Sequence, residues 1–243
     1  MEFADRVQAV EPAAPFVISN LVSELEEDGA DIVDLSVGQP DVETPENVIE
    51  ATKDALDAGH TTYTPSDGIS DLRRSIADYL QTRFDLNYGP ENIIVTPGGK
   101  HALYETIQAV VNPGDEVIMI DPVWSSYEPM VQLAGGEAVH VDTAPYDFKL
   151  APALEDLEAA ISDDTALVMI NSPSNPSGMV FSDEAFAGVR DLAVEYDLPV
   201  LSDEIYAELM YGDTEQRSLG TFEGMEDRTI TINGFSKTFS MTG

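Results

Sequence analysis

Four residues of this 243-residue chain combine types that could share covalent and acid–base chemistry: Lys237 in "INGFSKTFSMTG", Asp203 and Tyr206 in "LPVLSDEIY", and Asn175 in "NSPSNPSG". A lysine amine can attack a carbonyl and then shuttle a proton. Ser236, Thr238, Ser240 and Thr242 surround Lys237 with hydroxyls, a setting suited to an anion and to a Schiff base. Asp203 stands at the carboxyl end of an apolar run, where sheets of α/β proteins bind ligands. The Asn175 amide can donate a hydrogen bond, and Pro176 after it is a candidate for a cis bond. Each residue alone has a plainer account. Lys237 could be a solvated loop lysine, Asp203 a turn cap, and the Asn175 segment an ordinary turn.

Two further stretches bear on a ligand. In "TPGGKHALYET" a glycine turn opens a helix, so the first amides, of Gly99, Lys100 and His101, could cradle a phosphate with the help of the helix dipole. A Walker loop is excluded, because Ile94 stands where it needs glycine and His101 where it needs Ser or Thr. A plain tight turn remains open. Trp124, the only tryptophan, lies in "DPVWSSYEPM" and offers a flat stacking face, although core packing is the default for one aromatic.

Composition narrows the classes. With no cysteine, disulfides, thiolate metal sites and thiol catalysis are excluded. His60, His101 and His140 lack ligand spacing, so no metal is expected. The charge is −35, from 46 Asp plus Glu against 11 Lys plus Arg. Such a surface repels nucleic acid and anionic membranes. Self-repulsion of this size should be relieved by concentrated salt, which predicts a salt-requiring cytoplasmic protein of a halophile. The opening "MEFADRVQAV" has no basic region and no stretch of the sequence is a membrane-length apolar run, so an unexported protein is expected.

The elements that must position these residues follow from periodicity. From about residue 92, the runs "NIIVT", "DEVIMI", "EAVHV", "ALVMI", "LPVLSDE" and "TITIN" read as strands, and amphipathic stretches such as "KHALYETIQAVV" separate them. This alternation predicts an α/β fold with a mostly parallel sheet. Upstream, "PFVISNLVSELEEDG", "PENVIEATKDALDAG" and "GISDLRRSIADYLQTRF" read as helices, and "DIVDLSVGQPD" as a short strand entering a glycine turn. The expected division is an N-terminal arm or small-domain segment over residues 1–40 and a large domain over 41–243.

In order along the chain, "SVGQPD", "TPGGKH", "DPVWSSY", "NSPSNPSG", "SDEIY" and "FSKTF" resemble the class I aminotransferases of the aspartate and aromatic type, which are fold-type-I pyridoxal phosphate enzymes. The resemblance implies that fold's large domain, a mixed but mostly parallel sheet with helices on both faces. It implies a Schiff base at Lys237, Asp203 paired with the pyridine nitrogen, and Tyr206 and Asn175 on the phenolic oxygen. Trp124 would stack on the ring, and Gly99, Lys100, His101 and Ser236 would hold the phosphate. Tyr63 in "HTTYTPSDG" would reach the phosphate of a partner subunit, which implies a homodimer. Gly38, Lys100, Trp124 and Asn175 would meet the substrate, with Lys100 favouring an acidic side chain. The implied reaction is ping-pong transfer of an amino group from an L-amino acid to a 2-oxo acid such as 2-oxoglutarate.

The family pattern continues past "SKTFSMTG" with "WR" and later supplies a further arginine for the substrate carboxylate. The chain is therefore expected to be incomplete at the C-terminus, without the small domain there and with little or no activity alone. An alanine-type aminotransferase or a C–S lyase would use the same cofactor residues. A cofactor-binding regulator domain or a non-catalytic binding fragment would keep the fold without the reaction.

Overall fold

The computed structural model describes residues 2–10, 14–34, 38–212 and 216–243. Five of the six expected runs form strands: β1 Glu116–Asp121, β2 Glu137–Asp142, β3 Thr165–Asn171, β4 Val200–Asp203 and β5 Thr229–Ile232. They pair in the order β2-β1-β3-β4-β5, and every pairing is parallel, so the described strands include no antiparallel member. The chain leaves β1 toward one edge and returns to its other side with β3. The carboxyl ends of β1 and β3 therefore flank a topological switch point, where open α/β sheets leave a crevice.

Nine helices are described: α1 Asp5–Gln8, α2 Ala14–Glu27, α3 Glu46–Asp57, α4 Ser70–Phe84, α5 Gly99–Val110, α6 Tyr127–Ala134, α7 Leu154–Ala159, α8 Asp183–Glu195 and α9 Phe235–Thr238. Strand alternation divides the core. Val117, Met119, Leu167, Met169 and Leu201 meet Leu103 and Ile107 of α5 and Met130 and Val131 of α6. Ile118, Ile120, Val168, Ile170 and Val200 meet Leu157 of α7 and Phe186 and Val189 of α8 on the other face. The central strands are apolar on both sides, as a sheet covered twice requires. α7 and α8 approach closely at Gly188, where a Cβ would lie 2.2 Å from Leu154 Cδ1.

Two expected strands are not seen among the described residues. Residues 93–96 of "NIIVT" are irregular, with Ile93 buried beside Leu80 and Phe84 of α4 and Ile94 exposed. A ladder needs a neighbouring backbone, but the Val95 amide donates to the Asp67 carbonyl of a loop instead. In "DIVDLSVGQPD", residues 31–34 and 38–41 are irregular and 35–37 lie outside the described residues. On α2, Val17, Ile18, Leu21 and Leu25 are exposed. Among the described residues no helix is long and apolar enough to cross a membrane, and no cluster could hold a metal ion.

One buried acid sits under the sheet. Glu204 Oε1 accepts from the hydroxyls of Ser202 and Ser218, each at 2.8 Å, while Oε2 is buried with no partner. Burial pushes its pKa up to about 7, against the lowering effect of Ser218, Ser202 and the Leu219 amide. Because the folded value exceeds the unfolded one, the native state binds more protons between the two. This contribution to stability is complete below the unfolded value near 4.5 and is lost as pH rises through about 7. Glu204→Gln should remove that loss. Comparing urea midpoints at acidic and mildly alkaline pH should show wild type losing on the order of a few kcal/mol relative to the variant. Parallel pH profiles would refute it.

Candidate active site

Connections at the carboxyl ends of β1, β3, β4 and β5, together with the start of α5 and the segment at Gly38 and Gln39, line one cleft of ≈ 470 Å³. Its walls include Gly38, Gly99, Lys100, Trp124, Asn175, Asp203, Tyr206, Ser236 and Lys237, so nine of the eleven residues singled out in the sequence converge there. The other two lie elsewhere. The His101 side chain pairs with Glu105 at 2.9 Å on the exposed side of α5, and its amide bonds the Gly98 carbonyl at 3.1 Å. Tyr63 is fully exposed.

Asp203 ends β4 on the face that meets α5 and α6, and it is 3% exposed. Its Oδ2 accepts from the Tyr127 hydroxyl at 2.6 Å and its Oδ1 from the Ile205 amide at 3.0 Å. Burial raises its pKa, and these two donors oppose the rise. Tyr206 follows on the turn after β4. Its hydroxyl accepts from Asn175 Nδ2 at 3.3 Å, and burial raises the phenol's pKa while that hydrogen bond lowers it. Asn171, at the end of β3, ties the two connections together. Its Nδ2 donates to the Asp203 carbonyl at 2.8 Å, and its Oδ1 accepts from the Asn175 amide at 2.7 Å. The Asn175–Pro176 bond is cis, as are Asp121–Pro122 and Ser172–Pro173.

Lys237 is delivered by α9, one step after β5. Gly234 between them leaves room, since a Cβ there would lie 2.8 Å from Ile205 Cδ1. Lys237 Nζ donates to the Gly38 carbonyl at 2.8 Å and lies 5.9 Å from the centre of the Tyr206 ring. Partial burial lowers its pKa, which makes the free amine more available. On the opposite wall, Lys100 Nζ lies 4.7 Å from the centre of the Trp124 ring. Gly99 opens α5 at the cleft, with Ile205 Cδ1 3.4 Å from where its Cβ would be. A side chain there would narrow the approach to the first amides of the helix.

Sequence reasoning overlooked Tyr127, Asn171 and Gln39, which also line the cleft, as does Thr242 from the hydroxyl-rich segment around Lys237. Tyr127 lay in view in "DPVWSSY", three residues after Trp124. Asn171 is the last residue of a strand whose apolar run had ended, a position that could have flagged it.

A family model for "Aminotransferase class I and II" matches residues 30–243. The chain belongs to this family. It is 39% identical to the aspartate aminotransferase of Bacillus subtilis, over 100% of this chain and 62% of that protein. It is 42% identical to the aspartate/prephenate aminotransferase of Thermus thermophilus, over 98% of this chain and 61% of the relative. The solved aspartate aminotransferase of Thermus thermophilus with maleate superposes with a TM-score of 0.95 at 42% identity, covering 100% of this chain and 63% of that one. The aromatic aminotransferase of Pyrococcus horikoshii superposes at 0.84 with 39% identity, over 92% of this chain and 60% of that one. The chain thus spans about three fifths of the length of the relatives it matches.

Class I and II aminotransferases depend on pyridoxal phosphate, and the cleft fits that group. It pairs a carbonyl-seeking amine, Lys237, with a buried carboxylate, Asp203, that could face a protonated ring nitrogen. Asn175 and Tyr206 could meet a phenolic oxygen, Trp124 could stack on the ring, and Gly99, Lys100 and Ser236 could hold the phosphate.

Proposed function

We propose that the protein to which this chain belongs transfers an amino group from an acidic or aromatic L-amino acid to a 2-oxo acid, 2-oxoglutarate being the proposed acceptor. The observation that carries the reading is the convergence of Lys237 and Asp203 on one cleft. Bound pyridoxal phosphate supplies a carbonyl for amine exchange and a ring that accepts the electron pair left on the substrate α-carbon. Lys237 would anchor the cofactor through its amine, and its free Nζ would take up the α-proton, a task its lowered pKa suits. Asp203 would keep the ring nitrogen protonated, and Asn175 with Tyr206 would stabilise an anionic phenolic oxygen. The reaction runs as two half-reactions: the donor leaves as a 2-oxo acid before the acceptor enters.

An acidic substrate is favoured by the Lys100 ammonium on the cleft wall, within reach of a distal carboxylate. The relatives named for aspartate and prephenate, and the one solved with maleate, support it. Exposed Tyr63 supports a homodimer in which it completes the partner's phosphate site. Residues 1–40 belong in this reading to an arm and small-domain segment, consistent with the exposed apolar side chains of α2, and residues 41–243 to the large domain. The test is oxo-acid formation from L-aspartate, L-phenylalanine and L-alanine with 2-oxoglutarate. Turnover of L-alanine alone, or release of a thiol from a cysteine conjugate without transamination, would replace the reading by its alanine-type or C–S lyase rival.

The −35 charge supports a cytoplasm rich in salt. The thermal midpoint is expected to rise by several degrees between low and molar KCl, as screening relieves repulsion. A flat or falling midpoint would remove the halophile from the proposal.

A further inference from the structure

Asp203 is a charge in an unfavourable place: nearly fully buried and, apart from the cleft, held by only two donors. The Ile205 amide belongs to the backbone of the same turn, whereas the Tyr127 hydroxyl comes from α6, across the cleft floor. Tyr127 is itself 2% exposed, and its ring stands edge-on to Trp124 with centres 5.5 Å apart. One side chain therefore touches both the residue suited to stack on a flat ring and the carboxylate suited to face that ring's nitrogen.

We propose that Tyr127 is a positioning residue whose hydroxyl holds the Asp203 carboxylate as an anion aimed into the cleft, in register with Trp124. The proposal rests on the reading of the cleft as a pyridoxal phosphate site. The phenol acts as a donor, because burial and the neighbouring Asp203 push its own pKa well above the ordinary value. With one donor on each oxygen, Asp203 keeps acceptor capacity for a cationic partner in the cleft. The other titratable groups lining the cleft are Tyr206 from the turn after β4, Lys100 from α5 and Lys237 from α9. Glu204, the next residue along, faces Ser202 and Ser218 on the opposite side of the sheet.

Tyr127→Phe removes the hydroxyl and keeps the ring among the apolar residues of α5 and α6. Without its donor the carboxylate holds its charge less well, so its protonation midpoint moves up. Cofactor binding, which needs the anion, then weakens from the acid side. Two measurements on the purified chain test this. Carboxyl ¹³C NMR of the cofactor-free protein should move the Asp203 midpoint up by about one pH unit or more. Quenching of the single tryptophan by added pyridoxal phosphate should show affinity at least about tenfold weaker below the shifted midpoint and converging with wild type at higher pH. In an Asp203→Asn background, Tyr127→Phe should leave the pH profile of binding unchanged.

An unmoved Asp203 midpoint overturns the proposal, as does weakening that is uniform across pH, the signature of a packing role. A moved midpoint in a protein whose wild type takes up no pyridoxal phosphate would support the hold on Asp203 and overturn the cofactor reading instead.

Discussion

Borohydride reduction of the pyridoxal phosphate-loaded protein, followed by peptide mapping, is expected to find the label on Lys237 and not on Lys53, Lys100 or Lys149. The chain has only these four lysines, so the assignment is unambiguous. Lys100 is the serious competitor, because it lines the same cleft. Two features favour Lys237. Burial lowers its pKa, leaving more of the unprotonated amine that attacks a carbonyl, and the Gly38 carbonyl fixes its Nζ. Lys237→Ala should abolish the label and lower transamination by at least about 10²–10⁴-fold, the range attributed to general acid–base catalysis alone. Lys100→Ala should retain the label and weaken only acidic donors. Labelling of Lys100 in wild type would reverse the roles of the two walls.

Asp203→Asn is expected to cost about 10²–10³-fold in kcat, the scale of removing one preorganised electrostatic contact. Asparagine fits the same space and can still accept from the Ile205 amide, so the fold should survive. What it lacks is the charge that keeps a facing ring nitrogen protonated. A 3-hydroxy analogue of the cofactor methylated at that nitrogen carries a permanent positive charge and should restore part of the lost rate. Near-wild-type activity of the variant, or no difference between the two cofactors, would remove Asp203 from its assigned partnership.

The parallel α/β architecture was legible in the sequence, since five of the six apolar runs form its strands, and so was the set of residues that gather at one cleft. Lys237, Asp203, Tyr206 and Asn175 could be found because each follows an apolar run whose end is visible in one dimension, and parallel strands gather such ends in space. Tyr127 was not found, since its hydrogen bond joins residues 76 positions apart and nothing in "WSSYEP" announces a distant acid. His101 looked like part of an anion cradle because it follows Gly98 and Gly99, yet its amide turns back to the Gly98 carbonyl. "NIIVT" has the composition of a strand, but pairing depends on what lies beside it, which composition does not encode. Nothing in the sequence marks Glu204 as buried, and its pairing with Ser202 and Ser218 is a product of the fold.

The alternation along β4 has a consequence for how the gene can vary. Leu201 and Asp203 face α5 and α6, while Val200, Ser202 and Glu204 face the other layer. Loss of one codon between α8 and β4, if absorbed as a one-residue slip, would turn Asp203 to the other face and present Glu204, one methylene longer, to the cleft, whereas gain of one codon would present Ser202 there. After the loss the protein would still carry an acid at that spot but at the wrong reach, and after the gain it would carry none. Codon-level length changes should therefore be purged just ahead of β4 and tolerated in exposed turns such as that around Asp163 and Asp164. A deletion library scored for folding and cofactor uptake would expose that boundary as an abrupt edge in the reading frame of the strand.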